Sequence, residues 1–181
     1  TEVGSGTYGK VYKVEAQDEE KKILAFKKIT YTKDNEGFPQ TALREIRILQ
    51  SLSHKNVIRL HKIITSKPSE NNKYRGSTFL VFDYIEHDLQ GLLKMNIALS
   101  PAQLKCIIQQ ILEGVKYIHS RKVIHRDLKC ANILLSSKGE VKIADFGLAR
   151  YITHSGNYTN CVVTLWYRAP ELLLGQKKYN T

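Results

Sequence analysis

The stretch His125-Arg-Asp-Leu-Lys-Cys-Ala-Asn132, followed by Asp145-Phe-Gly147, constrains this chain more than any other feature. It sets an acid at Asp127, an ammonium at Lys129 and an amide at Asn132 within one polar loop. A second acid, Asp145, arrives after an apolar turn-and-return, Ile133-Leu-Leu135 and Val141-Lys-Ile-Ala144. Moving a terminal phosphate from a nucleotide to a hydroxyl needs such parts: a carboxylate to orient and deprotonate the hydroxyl, a cation against the moving phosphoryl group, and an acid and an amide to hold Mg²⁺. A lone His-Arg-Asp would read as a solvated loop between strands. With Lys, Asn and Asp-Phe-Gly at these offsets, phosphoryl transfer is the better reading.

Composition excludes little. The chain of 181 residues can bury a sizeable core. No apolar run approaches the ~18 residues a membrane span requires, and no secretory signal opens the chain. Cys106, Cys130 and Cys161 form no Cys-x-x-Cys pair and share no ligand-like spacing with histidine, which points to a reducing compartment and away from a zinc site or disulfide framework. Cys106 falls on the apolar side of a helical pattern and is expected in the core, while Cys130 and Cys161 fall in loops. The formal charge of +11 would suit nucleic acid or an acidic partner. The Lys and Arg residues are scattered, however, and make no continuous stripe, so no direct nucleic-acid contact is expected.

From the start of the chain, Val3-Gly-Ser-Gly-Thr-Tyr-Gly-Lys-Val11 is a Gly-x-Gly-x-x-Gly-x-Val run whose glycines let backbone N–H groups close over phosphates. A dinucleotide-binding turn would pass straight into a helix. Here Val11–Val14 alternates like a strand, residues 17–22 form a charged turn, and Ile23–Ile29 reads as a second strand carrying Lys27. The segment Gly37–Gln50 is expected to be helical, with Pro39 in the first turn and Ala42, Leu43, Ile46, Leu49 and Leu52 on its apolar face. Glu45 lies beside that face, where it can turn inward to pair with Lys27. Val57–Leu60 and Thr78–Phe82 read as further strands around a polar insert, and Phe82-Asp-Tyr-Ile-Glu-His-Asp88 as a linker. Ser100-Pro-Ala-Gln103 is a helix start with its capping partner three residues on. Leu104, Ile107, Ile108, Ile111, Leu112, Val115 and Ile118 follow at helical spacing as a wide buried stripe.

In this order and spacing, and closed by Ala169-Pro-Glu171, the motifs resemble the eukaryotic protein kinases over the whole chain. The resemblance implies an α+β, bilobal protein-kinase fold, with a β-rich N-lobe over residues 1–85 and a helical, partial C-lobe over 86–181. It implies ATP and Mg²⁺ as cofactors. Catalytic roles would fall to Asp127, Lys129, Asn132, Lys27, Glu45 and Thr164. The nucleotide would lie against Val3, Gly4, Gly6, Gly9, Val11, Ala25, Lys27, Leu134 and Asp145, with Phe82 behind the adenine. Backbone groups of Asp83 and Ile85 would meet the adenine edge and Asp88 the ribose. Asn132 and Asp145 would ligate the metal.

Pro39-Gln-Thr-Ala-Leu-Arg-Glu45 is similar to the helix by which cyclin-dependent kinases bind their cyclin, with Gln40 departing from the residues usual there. Asn35–Pro39, Glu86-His-Asp-Leu89 and Tyr158-Thr-Asn160 resemble the transcription-elongation branch of that family. Mitogen-activated kinases carry a Thr-x-Tyr pair that is absent here. The resemblance implies a cyclin partner, Ser/Thr-Pro substrates recognised through Val162, Val163 and Arg168, action on the RNA polymerase II tail, and a nuclear location, with a cytoplasmic pool as the alternative. It implies no membrane partner. Thr159 would be an activating phosphosite, modified by an upstream kinase and gathered by Arg44, Arg126 and Arg150, and Thr7 and Tyr8 would be inhibitory phosphosites. Kinases continue through several helices beyond the position of Thr181, so the chain is expected to be part of a longer protein or a truncated product. Two functions stay open: an active Ser/Thr kinase, and a non-catalytic fragment that binds cyclin or an acidic partner.

Overall fold

The computed structural model describes residues 1–6, 9–17, 21–30, 38–70, 76–153, 156–159, 162 and 164–181, with residues 5 and 6 as backbone. Thr7, Tyr8, Asn35, Asn160, Cys161 and Val163 therefore lie outside the described residues.

Alternation of apolar and polar residues builds the first layer. β1 (Glu2–Gly6), β2 (Gly9–Glu15), β3 (Ile23–Ile29), β4 (Leu60–Thr65) and β5 (Thr78–Asp83) form one antiparallel sheet in the order β1-β2-β3-β5-β4. β3 matches its expected bounds, whereas the strand expected over Val57–Leu60 is displaced. Val57 makes only a single bridge to Ile143, and regular pairing begins at Leu60. Its pairing then slips between Leu60 and Lys62, so that His61 is an extra residue on an edge strand.

Helix α1 (Gln40–Ser51) starts one residue beyond Pro39, which stands at the N-cap and makes no side-chain cap. Its inner face comprises Ala42, Glu45, Ile46, Ile48 and Leu49, and it packs against the sheet and against the turn at Phe146–Leu148. Ile48, fully buried, joins the apolar face expected from the sequence. Burying a side chain of that size contributes about 1.5–3 kcal/mol.

After the linker, β6 (His87–Asp88) leads into α2 (Leu89–Lys94), and α3 (Pro101–Ser120) is the long helix. Ser100 and Gln103 form the expected capping box, their side chains and backbone N–H groups bonded reciprocally. β7 (Val123–Ile124) pairs with β10 (Arg150–Tyr151), and β8 (Ile133–Leu135) with β9 (Val141–Ile143) and β6. α4 (Pro170–Leu173) closes the elements.

The stripe on α3 divides. Ile107, Gly114 and Ile118 are buried, the last two facing β9 and β7, while Leu104, Ile108 and Leu112 are exposed. Cys106 is exposed as well, against the expectation of a core thiol. A helical wheel identifies an apolar face and leaves open what covers it. Gly114 is required by close approach: a Cβ there would lie 2.8 Å from Ile143 Cδ1 and 2.9 Å from the Asn56 carbonyl oxygen.

Candidate active site

The sheet and the β8–β9 hairpin enclose a cleft of about 590 Å³. Of the residues expected at a nucleotide, Val3, Gly4, Gly9, Val11, Ala25, Lys27, Phe82, Asp83, Ile85, Asp88, Leu134 and Asp145 line it. Gly6, described as backbone, pairs with Gly9 across the β1–β2 turn. Gly9 holds φ +134°, and a Cβ there would meet the Lys28 carbonyl oxygen, so only glycine fits. Asp88 also serves the fold, since its Oδ1 accepts from the Gly91 N–H at 2.8 Å and caps α2.

One wall is electrostatic. Lys27 on β3 reaches Glu45 Oε1 at 2.7 Å and Asp145 Oδ1 at 3.1 Å, so the inward pairing expected of Glu45 is formed. Burial alone would lower the Lys27 pKa, yet the charges of Glu45 and Asp145 outweigh it and raise it above its ordinary value. Burial likewise pushes the Asp145 carboxyl up, and the Lys27 ammonium overcomes this and holds it below the usual range. Lys27 and Asp145 therefore persist as charged groups at neutral pH.

The polar loop supplies the opposite wall. Asp127 is buried, and its carboxylate receives donors on both oxygens. Oδ2 accepts from Lys129 Nζ at 2.9 Å and Asn132 Nδ2 at 3.0 Å. Oδ1 accepts from the backbone N–H and Oγ1 of Thr164, both at 3.3 Å. Lys129 Nζ also donates to Thr164 Oγ1 at 3.1 Å. The structure thus gathers Asp127, Lys129, Asn132 and Thr164 into one cluster, with all but Thr164 lining the cleft beside Asp145.

His125 was not expected to have a role, although it opens the motif. It is buried beside Phe146, with ring centroids 4.8 Å apart in an edge-to-face arrangement. Its Nε2 donates to the Ala144 carbonyl at 3.0 Å, and its Nδ1 accepts the Asp127 N–H at 3.2 Å. Burial lowers its pKa and keeps the ring neutral, as that pair of bonds requires.

Of the three arginines expected to converge, two do. Arg126 Nε and Arg150 Nη1 both donate to the Leu148 carbonyl, at 2.8 and 3.5 Å. Arg44 is joined to neither by a contact among the described residues. Thr159 is exposed and connects to Arg126 through Tyr179, a residue the sequence did not single out: Arg126 Nη1 donates to Tyr179 Oη at 3.1 Å, and that hydroxyl donates to the Thr159 carbonyl at 2.8 Å. Arg168 Nε donates to the carbonyl of the buried Val162 at 2.9 Å.

For Mg²⁺ the donor set fits. Both Asn132 amide hydrogens point to Asp127, one to its carbonyl at 2.8 Å and one to Oδ2, which leaves the amide oxygen free to ligate. No group of three or more His, Cys, Asp or Glu side chains suited to a metal occurs among the described residues. Mg²⁺ needs none, since it takes one or two protein oxygens together with phosphate and water.

The glycine hairpin, the buried Lys27–Glu45 pair and the acid-amide loop define a phosphoryl-transfer class, and the family described as "Protein kinase domain" matches residues 1–181. The chain belongs to the protein kinase family. Its relatives within that family are cyclin-dependent kinases. It is 48% identical to cyclin-dependent kinase C-2 of Oryza sativa subsp. japonica over 98% of this chain and 37% of the relative. It is 49% identical to cyclin-dependent kinase 9 of Danio rerio over 98% of this chain and 49% of the relative. Among solved structures, the crystal structure of the yeast RNA Pol II CTD kinase CTDK-1 complex superposes with a TM-score of 0.84 at 41% identity, covering 94% of this chain and 53% of that one. The chain spans half or less of the length of these curated relatives.

Proposed function

We propose that this chain carries the nucleotide site and the phosphoryl-transfer machinery of a cyclin-dependent Ser/Thr kinase, with residues 1–85 as N-lobe and 86–181 as the described part of the C-lobe. The observation that carries the reading is the four-donor arrangement around Asp127, set opposite the Lys27–Asp145 pair. Both Thr164 contacts to Asp127 Oδ1 are long for hydrogen bonds to a carboxylate, so this oxygen can exchange them for a substrate hydroxyl. Asp127 then orients that hydroxyl and takes its proton as the oxygen bonds to the γ-phosphorus of ATP and the bond from that phosphorus to the β,γ-bridging oxygen breaks, releasing ADP. Lys129, held between Asp127 and Thr164, lies where charge grows on the moving phosphoryl group. Lys27, fixed by Glu45, holds the α- and β-phosphates of ATP, while Phe82, Asp83 and Ile85 seat the adenine and Asp88 the ribose. Asn132 and Asp145 would hold Mg²⁺, which would supply neutralisation of phosphate charge there.

The relatives and the CTD-kinase neighbour support a cyclin as partner, a nuclear location and Ser/Thr-Pro substrates such as the polymerase tail, with Val162, Val163 and Arg168 as the proline pocket. Thr159 is the activating phosphosite, served by an upstream kinase and held by Arg126 and Arg150, with Arg44 brought in on activation. Thr7 and Tyr8 are the inhibitory phosphosites. The test is transfer to a polymerase-tail peptide by the full-length protein with its cyclin, at saturating Mg-ATP. Asp127→Asn should lower kcat by about 10²–10³ in a protein that still folds and melts cooperatively. Near-normal turnover by this variant would refute the assignment, and a wild-type protein that binds cyclin without transferring phosphate would favour the non-catalytic reading.

A further inference from the structure

The linker residue Asp83 ends β5 and lines the cleft, yet its side chain is held from both neighbouring strands. On one flank, His61 Nε2 lies 2.8 Å from Asp83 Oδ1. An ionised carboxylate only accepts, so Nε2 carries the hydrogen. On the other flank, Lys22, just ahead of β3, places Nζ 3.1 Å from the same oxygen. β3 itself runs beside the linker, with Leu24 opposite Asp83. The next linker residue, Tyr84, is held in turn by Lys13, whose ammonium lies 4.7 Å from its ring centroid.

The β4 bulge brings His61 to this position. Leu60 pairs with Phe82 and Lys62 with Val81, so His61 has no opposite number on β5. Bulges beside functional sites re-aim side chains, and this one turns His61 along the sheet edge to the carboxylate one residue past Phe82. His61 and Asp83 keep about a quarter of their side-chain surface exposed and Lys22 about half. Partial burial pushes the Asp83 carboxyl up, but the His61 and Lys22 contacts prevail and hold it below the usual range. Contacts this wet add little to global stability. Their effect lies in orientation.

We propose that His61 and Lys22 are positioning residues that clamp Asp83 and thereby hold its peptide carbonyl toward the cleft, making the site selective for adenine over guanine nucleotides. The inference rests on the reading of Asp83 and Ile85 as the edge that meets the base. Adenine offers an amino donor at C6 and an acceptor at N1, which suits a backbone carbonyl followed by a backbone N–H. Guanine reverses both, with an oxo group at C6 and a hydrogen on N1. It can be accommodated only where the Asp83 peptide turns away, and a side chain anchored on two flanks opposes that turn. Selectivity thus arises from a penalty on the wrong base.

The experiment measures kcat and KM for ATP and for GTP with the full-length protein and its cyclin, in wild type, His61→Ala, His61→Gln and Lys22→Met. In His61→Ala the ratio of kcat/KM for ATP to that for GTP should fall about tenfold, chiefly through a lower KM for GTP and with kcat for ATP little changed, as expected when a binding penalty on the wrong base is relieved. His61→Gln, which keeps a donor on a side chain of similar reach, should restore most of the ratio, and Lys22→Met should lower it by a smaller factor. A merely structural contact would change thermal stability and both nucleotides alike. An unchanged ratio in His61→Ala, with wild type preferring ATP, overturns the clamp alone. A wild-type protein without any preference for ATP overturns both the clamp and the reading of the linker beneath it.

Discussion

Replacing Lys27 by methionine should separate what this cation does for the fold from what it does for transfer. The substitution keeps the side-chain length and removes the charge, leaving Glu45 without its 2.7 Å partner and Asp145 without its 3.1 Å partner. The Glu45 side chain is only 7% exposed, so water cannot replace the ammonium there. Removing one member of a buried pair costs about 3–5 kcal/mol. In a chain of this size each kcal/mol lowers the melting temperature by about 2–4 °C, so the loss should be about 6–20 °C. Converting Glu45 to methionine as well removes the stranded charge, and Lys27→Met with Glu45→Met should recover most of that loss while transfer stays abolished. The pH dependence has a defined sign. The Lys27 pKa is raised, so its contribution is complete below the ordinary 10.5 and lost as pH rises through the raised value. The Asp145 pKa is depressed, so its contribution is complete above the ordinary 3.8 and lost as pH falls through the lowered value. The gap between wild type and Lys27→Met should therefore be flat from about pH 5 to pH 9 and narrow at both ends. Thermal melts of the full-length protein at several pH values read all of this. A loss below about 1 kcal/mol for Lys27→Met, or a double variant no more stable than the single, would refute the reasoning.

Gly114→Ala should destabilise by about 1–3 kcal/mol in denaturant titration, although alanine is the better helix former, because the new methyl meets the Asn56 carbonyl oxygen 2.9 Å away. Thr159→Ala should lower peptide turnover of the cyclin-bound protein after treatment with its activating kinase and leave turnover before treatment unchanged. A phosphate at Thr159 carries about −2 charge and offers the arginines charge-assisted bonds that a methyl cannot.

Much of this is legible in the chain itself, for identifiable reasons. Glu45 can be placed because a helical wheel sets it beside the apolar face of α1 while β3 presents a cation that needs an inward partner. The α3 capping box can be read residue by residue because its two bonds span only three positions. The strand at Val57–Leu60 is misplaced by its pattern because β-branched residues suit pairing without fixing its start. Cys106 is misassigned to the core because periodicity finds a face and not its cover. His61 and Tyr179 are invisible to such reading: one acts through an irregularity in strand register, the other through a chain segment that returns from twenty residues away to Thr159. Neither leaves a local pattern.

The position of His125 bears on how the segment around Asp145 can move. The ring touches Phe146, donates to Ala144 and accepts from Asp127, so it holds the polar loop and the second acid as one piece. Partial rotation of Phe146 would open a void beside the imidazole and break the edge-to-face contact of the two rings. That contact is worth about 0.5–1.5 kcal/mol beyond the area it buries, and the void adds to the cost. Intermediate positions are thus disfavoured, and the segment has discrete resting places with a barrier between them. Its rearrangement is then a slow, all-or-none event of the kind packed interfaces undergo, in which the loop carrying Asp127 registers the departure of Phe146 at once.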